Sequence, residues 1–482
     1  MLQNLPETLL LYLAISYPSL VLAQTQIQLN SVIPLTPQNL SSSAEFRLPN
    51  SENLTISIAS CSSTSKFFVL NTTSERTEIE VRDGIGVFEG LFKDGGTLIV
   101  EGSGNMEIGV SSNGPIHEHL ASLPMLGDTT ANQAIIFSAP FGDKPQITDP
   151  SYPNYTLPVP SKSEIPFTPP AITPNFTLVI QELQSTTSGC LISPPESSLN
   201  TSGTIVNETT WIRDARDGWR MQWLIGGLTP STNYTAHVIQ DSKKISGPIR
   251  FLTKSASFSC PLVSSLPYCP GISYAVPLPQ PDSATSTYDN TNLPDNIQDP
   301  IIEYMRNFTI SLTTFACGRD WYSPLKTCQD CQNEYRKWLC TISFPRCGEA
   351  SSTDTATSSS PTSGSQGRRS LFAQFVKQDD PAAQKPLPIS ALMPVPTNTP
   401  PRNPAFPLFN TTYSVLLPCL ETCNAADRAC PASLGFKCPV ARFGAANTYG
   451  VGIIDGSDED QQGMGSAGVS QDRWGNVWCN AG

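Results

Sequence analysis

The stretch WLCTISFPRC, from Trp338 to Cys347, carries two cysteines with six residues between them. Thiols of this kind can bind a metal, exchange electrons or form a structural disulfide. A second pair, Cys328-x-x-Cys331, lies just upstream. A zinc ribbon would need a further C-x-x-C nearby, and the sequence has none. A thioredoxin-like redox pair would need a βαβ pattern around it, which is also missing. We therefore expect structural disulfides.

Three other motifs could serve an enzyme or a metal site, but each fits a simpler role. His117-Glu-His119 would place two imidazoles on one side of an extended chain, yet no third ligand is indicated, and we expect exposed loop histidines. The run from Gly84 to Gly90 is one residue too long for a dinucleotide fingerprint and reads as a turn. The acidic run Asp455–Asp460 lacks the glycine and glutamate of an EF-hand loop. We expect no enzyme, no cofactor and no bound metal.

The N-terminus predicts entry into the secretory pathway. An apolar run of fifteen residues, from Leu9 to Ala23, ends with small residues at Val21 and Ala23. The segment before it departs from the usual pattern, because it has no Lys or Arg and carries Glu7. An uncleaved anchor is the alternative, but fifteen residues broken by a proline are short for a bilayer core of ~30 Å. We interpret residues 1–23 as a cleaved signal peptide.

The rest of the chain fits an extracytosolic protein without a membrane span. No later segment approaches the ~20 apolar residues of a membrane helix, and the C-terminus has no hydrophobic tail for a lipid anchor. The formal net charge of −12 argues against binding to nucleic acid or anionic lipid. Ten glycosylation sequons are spread over the chain, at Asn39, Asn53, Asn71, Asn154, Asn175, Asn200, Asn207, Asn233, Asn307 and Asn410.

Composition divides the mature chain into three parts. Residues 24–149 alternate apolar and polar residues between Gly, Asn and Ser, which predicts an all-β sandwich domain. Residues 150–256 begin with a Pro-rich passage and continue as a second β domain. Residues 257–482 hold twelve of the fourteen cysteines and the helix-like segments. A Ser/Thr-rich and then Pro-rich insertion at about 350–405 is expected to be disordered, and its Arg368-Arg369 pair is a weak processing motif.

The second β domain resembles the end of a fibronectin type III domain. The strand RMQWLIGGL is followed by L-x-P-x-x-x-Y at Leu228, Pro230 and Tyr234, and then by two more strands. The resemblance implies that Tyr234 is a corner tyrosine whose hydroxyl binds nearby backbone. An ordinary hairpin with a buried tyrosine is the alternative.

The cysteine spacing in residues 257–482 resembles the Frizzled cysteine-rich domain. Two early cysteines, Cys260 and Cys269, precede an I-x-Y stretch at Ile272. The module from Leu339 to Cys347 follows, and then Pro418-Cys419-x3-Cys423-x6-Cys430. These features predict a mainly α, disulfide-rich domain, since an oxidising compartment favours disulfides.

The whole order is similar to the fungal stretch-activated calcium-channel component family, also known as the mating-pheromone-induced-death proteins. The order runs from a signal peptide through a glycosylated β region to the cysteine modules, a low-complexity gap and a late Trp-Cys-Asn. The resemblance implies an extracytosolic accessory subunit of a plasma-membrane, high-affinity calcium-permeable channel. Its implied partner is a large four-repeat pore-forming subunit, which would hold it at the plasma membrane and in the endoplasmic reticulum. A secreted Frizzled-like module for a lipid or glycan, and a cell-wall enzyme, are the alternatives; the oligomeric state is left open.

The Frizzled resemblance also implies a pairing of cysteines. Cys317–Cys328 is an added pair, and Cys61–Cys190 would join the two β domains. The five pairs that follow from the resemblance are Cys260–Cys347, Cys269–Cys340, Cys331–Cys430, Cys423–Cys438 and Cys419–Cys479.

Two aromatic residues in a GRDWYSP turn, Trp321 and Tyr322, are candidates for partner binding, whereas Trp338 is expected in the core. Deletion of residues 352–398 is expected to be tolerated.

Overall fold

A computed structural model describes most of the chain between residues 25 and 482. The signal segment, the Arg368-Arg369 pair and the acidic run Asp455–Asp460 lie outside the described residues. The described ranges are 25–38, 43–61, 64–71, 76–145, 149–165, 167–182, 188–192, 201–281, 287–315, 317–349, 391–401, 403–409, 411–440, 445–452, 466–468, 470–472 and 476–482.

The chain divides into two compact units, one up to Ile116 and one from His117 onwards. The first unit has two five-stranded sheets, ordered β1-β3-β9-β5-β6 and β2-β10-β4-β8-β7. Alternate residues of β3, β5 and β9 are buried, as expected for a strand with one face towards a core. The strands are β1 (Thr25–Gln26), β2 (Ser31–Leu35), β3 (Ser43–Leu48), β4 (Ser51–Ser60), β5 (Lys66–Leu70), β6 (Arg76–Ile79), β7 (Val81–Arg82), β8 (Ile85–Phe92), β9 (Gly96–Glu101) and β10 (Met106–Ser111).

The glycine-rich run in this unit is mostly strand. Asp83 and Gly84 both have positive φ, 48° and 78°, and form the two-residue turn between β7 and β8. Strand β8 then continues through Gly86 and Gly90. The expectation of a turn over the whole run was therefore wrong beyond Gly84, because only the Asp-Gly pair has turn geometry.

The second unit begins with eight strands in two four-stranded sheets, ordered β11-β18-β17-β14 and β12-β13-β16-β15. Because β11 pairs with β18 and β13 pairs with β16, the boundary predicted near residue 149 falls inside this unit. The alternating pattern does not distinguish which sheet a strand joins. The strands are β11 (Glu118–His119), β12 (Met125–Thr129), β13 (Ala134–Phe137), β14 (Phe176–Glu182), β15 (Thr204–Ile212), β16 (Trp219–Gly226), β17 (Asn233–Gln240) and β18 (Lys244–Leu252).

Helices and short strands make up the cysteine-rich part of the same unit. Helix α3 begins with a capping box, in which the Thr327 side chain accepts from the Asp330 amide and the Asp330 side chain accepts from the Thr327 amide. The helices of this part are α2 (Asp295–Thr313), α3 (Cys328–Ser343), α4 (Leu420–Ala429), a 3₁₀ turn (Ala432–Leu434) and α5 (Ala445–Thr448); the short helix α1 (Ser188–Ile192) lies earlier in the chain, between β14 and β15. The strands are β19 (Leu262–Val263), β20 (Tyr274–Ala275), β21 (Arg346–Gly348), β22 (Leu392–Val395), β23 (Tyr413–Leu416), β24 (Ser466–Gly468) and β25 (Gln471–Asp472).

Ordered structure resumes inside the insertion that the sequence predicts at about 350–405. Ala391 is buried, and β22 pairs with β23, which also pairs with β21. The prediction of disorder was therefore wrong from Ala391 onwards, because a short strand among prolines has too little periodicity to be recognised. Residues 350–390 lie outside the described residues.

The cysteine-rich part packs directly on the second pair of sheets. Phe137 and Trp211, from β13 and β15, share one buried cluster with Cys260, Leu262 and Cys347. The indole N–H of Trp211 donates to the Pro270 carbonyl at 2.9 Å. The β sheets and the cysteine-rich part therefore share one buried apolar cluster.

Candidate functional site

Six disulfides hold the cysteine-rich part together. Five of them join the pairs that the Frizzled resemblance implies, and the sixth is the added Cys317–Cys328 pair. The pairing of Cys61 with Cys190 stays a prediction. The five are Cys260–Cys347, Cys269–Cys340, Cys331–Cys430, Cys419–Cys479 and Cys423–Cys438.

Helix α3 is the centre of this arrangement because it carries three of the bonded cysteines. Cys328 and Cys331 lie one turn apart but bind different partners, Cys317 and Cys430. The C-x-x-C motif is thus neither a redox pair nor half of a zinc site. Cys340, nine residues further on, fixes the other end of the helix to Cys269. The stretch from Trp338 to Cys347 therefore fixes the C-terminal end of α3 through two disulfides, Cys269–Cys340 and Cys260–Cys347.

Within the described ranges, one group of three residues brings together side chains of the types that can bind a metal ion. Cys419, Glu421 and Cys479 place their ligand atoms within 4.8 Å of one another. The two sulfurs are joined to each other in a disulfide, so neither is a thiolate that could bind a metal. The group is structural.

A buried ion pair joins the stretch from Trp338 to Cys347 to the β sheets. The Arg346 Nε donates to Asp128 Oδ2 at 3.0 Å, and its Nη2 donates to the Gly127 carbonyl at 3.0 Å. Asp128 is 3% exposed and Arg346 is 6% exposed. The Lys254 ammonium lies 3.9 Å from Asp128 Oδ1. Arg346 precedes Cys347 and Asp128 lies on β12, so this contact connects the two parts of the unit.

Two opposing effects set the pKa of Asp128. Burial raises it, while the positive charges of Arg346 and Lys254 and hydrogen bonds from Arg346 and the Thr129 amide lower it. The attractive interactions are the stronger, and the pKa of Asp128 lies below its ordinary value. Asp128 is therefore ionised in the folded protein at neutral pH.

The same network reaches the end of the sequence. The hydroxyl of Tyr274 donates to the Phe344 carbonyl at 2.8 Å, and the Asn480 amide donates to the Tyr274 oxygen at 3.1 Å. Arg346 lies over the Tyr274 ring, 5.6 Å from its centroid. Burial raises the pKa of Tyr274, so its hydroxyl stays protonated and can donate. Four separated segments are thus fixed around one buried charge pair.

Sequence reasoning did not find this network. Asp128 lies in an otherwise ordinary strand pattern, and nothing near it marks a buried charge. Arg346, between Pro345 and Cys347, carries the one available signal, since a charged residue inside a disulfide module needs a partner if it is buried.

The turn before α3 presents one aromatic residue and anchors another. The Trp321 side chain is 85% exposed, and that of Leu325 is also 85% exposed. Tyr322 is half-buried, and its hydroxyl lies 2.7 Å from the Ala429 carbonyl and 2.5 Å from the Thr327 carbonyl. Burial raises the pKa of Tyr322 to about 12. Tyr322 therefore fixes the turn, and Trp321 is the side chain that a partner can reach; binding by either stays a prediction.

Trp338 packs inside the helical region. Its ring lies 4.8 Å from that of Phe436 and 5.5 Å from that of Tyr335, and its indole N–H donates to the Tyr449 hydroxyl at 3.0 Å. Trp338 is only partly buried, but these contacts are those of a core residue. The contrast with Trp321 shows which of the two is available to a partner.

The histidine motif is not an exposed loop. His117 is fully buried, and His119 lies on β11, where that strand pairs with β18. The expectation of exposed histidines was wrong, because the motif leads into and forms strand β11, which pairs with β18, and is not part of a loop.

Seven sequon asparagines lie in the described ranges, and all seven are exposed. Their accessibility is what an attached glycan requires, and their glycosylation stays a prediction. Asn39, Asn200 and Asn410 lie outside the described residues. The seven are Asn53, Asn71, Asn154, Asn175, Asn207, Asn233 and Asn307.

A cleft of about 700 Å³ lies beside α3. One wall is the Pro-rich segment 149–161, and the other carries Gln329, Gln332 and Arg336. The Gln332 amide donates to the Pro158 carbonyl at 2.7 Å, which fixes the two walls. The cleft is large enough for a small ligand.

The comparisons with known proteins agree with one another. Residues 51–465 match the family model Mid1, described as "Stretch-activated Ca2+-permeable channel component". The chain is 36% identical over 454 residues to "Stretch-activated cation channel MID1" of Cryptococcus neoformans var. grubii, covering 86% of this chain and 68% of that protein.

Two further relatives match over shorter stretches. "Stretch-activated cation channel yam8" of Schizosaccharomyces pombe is 25% identical over 297 residues, covering 58% of this chain and 52% of that protein. "Stretch-activated cation channel MID1" of Saccharomyces cerevisiae is 28% identical over 235 residues, covering 45% of this chain and 34% of that protein. The chain therefore spans about half and about a third of these two relatives.

Proposed function

The chain belongs to the Mid1 family of stretch-activated Ca²⁺-permeable channel components, and we propose that it acts there as an extracytosolic accessory subunit that promotes calcium influx. Three relatives carry the name stretch-activated cation channel, which supports a role in a calcium-permeable channel. The proposal adds that this chain does not form the pore. Within the described residues, no helix is long and apolar enough to cross a membrane.

In this proposal the chain lies at the extracytosolic face of the plasma membrane, which it reaches through the endoplasmic reticulum. Six disulfides support it, because such bonds persist in oxidising compartments. Seven exposed sequons support it as well. Attachment to the membrane would come through the partner alone.

The partner in the proposal is a large four-repeat pore-forming subunit of a high-affinity channel. The observation that supports a protein partner is that a rigid, disulfide-bonded region exposes the Trp321 side chain. The Cys317–Cys328 and Cys331–Cys430 disulfides and the hydrogen bond from the Tyr322 hydroxyl to the Ala429 carbonyl fix the turn from which Trp321 projects. A fixed aromatic side chain loses little freedom on binding, which favours it as an anchor at a protein interface.

The architecture in the proposal is fibronectin type III-like for the second β domain and Frizzled-like for the cysteine-rich part. The Thr229 amide donates to the hydroxyl oxygen of buried Tyr234 at 2.9 Å, which supports a tyrosine corner. The five disulfides that follow the Frizzled pairing support the other assignment.

The proposal includes no enzyme activity. A second candidate function, a cell-surface module that binds a lipid or a glycan, is favoured by the cleft beside α3. A ligand there would contact the amides of Gln329 and Gln332 and the guanidinium of Arg336. Binding of an acyl chain or oligosaccharide, lost on Arg336→Ala, would support this second function.

Copurification tests the leading proposal. A tagged full-length chain, expressed in fungal cells that lack their own copy, should restore stimulated calcium uptake and copurify with a multi-span channel protein. A carbonate wash at high pH should release the chain from membranes. Secretion into the medium without any channel partner would contradict the proposal, and retention on membranes after the wash would show that an anchor is present.

A further inference from the structure

Exposed apolar side chains in this protein are concentrated beside sequons. Sixteen large apolar side chains are exposed in the described part of the chain. Windows of three residues on either side of the ten sequon asparagines contain 58 of the 361 described residues, about one in six. Eight of the sixteen exposed side chains fall inside these windows. A scattered distribution would place two or three there.

The flanking pairs show the pattern most clearly. Tyr152 and Tyr155 lie on either side of Asn154, and Ile205 and Val206 immediately precede Asn207. A ninth side chain, that of Leu252, lies directly opposite Asn233 in the pairing of β17 with β18, and directly opposite residues of an antiparallel pair share a face.

Helix α2 offers the sharpest case. Its inward face carries Ile301, Met305 and Leu312, yet Tyr304 is 61% exposed and Ile310 is 56% exposed on the outward face. Asn307 lies three residues from each, and residues three apart on a helix have Cβ atoms about 5–6 Å apart. Helical side chains lean towards the N-terminus, so a group on Asn307 extends back over Tyr304, and Ile310 leans back towards Asn307.

We infer that N-linked glycans cover these apolar side chains, and that the glycan on Asn307 packs on Tyr304 and Ile310. The C–H face of a sugar ring is apolar and fits an aromatic ring, while its hydroxyls remain in water. An outward apolar stripe left bare would otherwise favour aggregation. The inference rests on the extracytosolic location in the proposed function, because only there can the glycans be added.

The inference also separates two kinds of exposed apolar surface. Trp321 and Leu325 are the most exposed apolar side chains in the described residues, and neither lies within three residues of a sequon. Glycans would cover the α2 stripe and leave the Trp321 turn bare. This deepens the proposed function, since it assigns partner binding to the turn rather than to α2.

Removal of the glycan from the purified full-length protein tests the inference. Asn307→Gln is the cleaner variant, because the sequon hydroxyl of Thr309 is buried and bonds to the Met305 carbonyl and the Gln332 amide. We expect Asn307→Gln to lower the melting temperature by about 2–4 °C and to increase binding of a hydrophobic dye. Adding Tyr304→Ser and Ile310→Ser should abolish the extra dye binding.

Three controls make the outcome specific. Thr309→Ser keeps both the sequon and the hydroxyl and should bind no extra dye. Asn71→Gln removes a glycan from a site without an exposed large apolar side chain among its described neighbours, and should bind no extra dye. On the folded protein, an endoglycosidase that leaves the first N-acetylglucosamine should preserve stability, whereas complete removal should not.

Mass spectrometry of each site distinguishes a failure of the inference from a failure of the proposed extracytosolic location. If Asn307 carries a glycan but its loss changes neither melting nor dye binding beyond Asn71→Gln, the inference is wrong and the proposed function stands. Loss of copurification on Tyr304→Ser alone would also overturn it, because a protein partner would then cover the stripe. If no sequon carries a glycan, the extracytosolic location itself is wrong, and the inference falls with it.

Discussion

Arg346 and Asp128 are 218 residues apart in sequence and form a buried pair, with the Arg346 Nε 3.0 Å from Asp128 Oδ2. Arg346 is adjacent to Cys347, whose disulfide to Cys260 fixes β21. One residue therefore connects the disulfide framework to the β sheets through an ionic contact. This pair and the buried cluster that contains Phe137 and Cys347 hold the two parts of the unit together.

Breaking the pair should destabilise the unit strongly. Asp128→Asn leaves the Arg346 guanidinium buried without its counter-charge, and we expect a loss of about 3–5 kcal/mol in the free energy of unfolding. Denaturant titration of the secreted protein measures it. Asp320→Asn, in the exposed Arg319–Asp320 pair, is the control and should have no measurable effect. A small effect at Asp128 would show that water reaches Arg346.

The pair should also set the acid stability. Because the pKa of Asp128 is lower when folded than its unfolded value of about 3.9, its contribution is present above that value. It is lost as the pH falls towards the folded pKa. Stability of the unmodified protein should therefore fall steeply below about pH 4. The Asp128→Asn protein should show a flatter pH profile there, and parallel profiles would contradict the assignment.

Loss of the Cys269–Cys340 disulfide should affect folding and function together. Cys340→Ser removes the bond to Cys269 and frees a thiol, at an expected cost of about 2–5 kcal/mol. Secretion and stimulated calcium uptake should both fall. The double variant Cys269→Ser/Cys340→Ser leaves no free thiol. It therefore distinguishes the effect of losing the disulfide from the effect of exchange by an unpaired thiol. Normal secretion and uptake by both variants would mean that the fixed shape of the domain is dispensable.

The tolerated deletion in the insertion should be shorter than the sequence suggests. Removal of residues 352–388 should leave secretion and calcium uptake largely intact. Removal of residues 352–398 takes away β22 and buried Ala391, whose amide donates to the Trp478 carbonyl at 2.7 Å, and should reduce both. Equal behaviour of the two deletions would show that β22 contributes nothing to the folded unit.

The parts of this structure that could be predicted from sequence are those with local signals. The helix-like segments of residues 257–482 include helices α2 and α3, and the disulfides of α3 follow from cysteine spacing within a resemblance. The Asp-Gly turn at Asp83 has its own signature. Each of these depends on residues within about a dozen positions or on a spacing that can be matched.

The parts that could not be predicted depend on distant partners. The pairing of β13 with β16 is not specified by either strand's own alternation. Burial of His117 and of Asp128 depends on what packs over them, and β22 is ordered because β23 lies beside it. A sequence pattern states which face of a strand is apolar, but not which strand covers it.

The Trp321 turn tests the central claim most directly. Trp321→Ala should leave secretion, disulfides and melting temperature unchanged, because the side chain is 85% exposed. The matched control is Ile172→Ala, which removes a side chain that is 84% exposed in the Pro-rich segment. Copurification of the pore-forming protein with each variant is the measurement. We predict that Trp321→Ala lowers the recovered channel protein at least tenfold and that Ile172→Ala does not. Recovery at the unmodified level with Trp321→Ala would contradict the claim that this turn binds the channel.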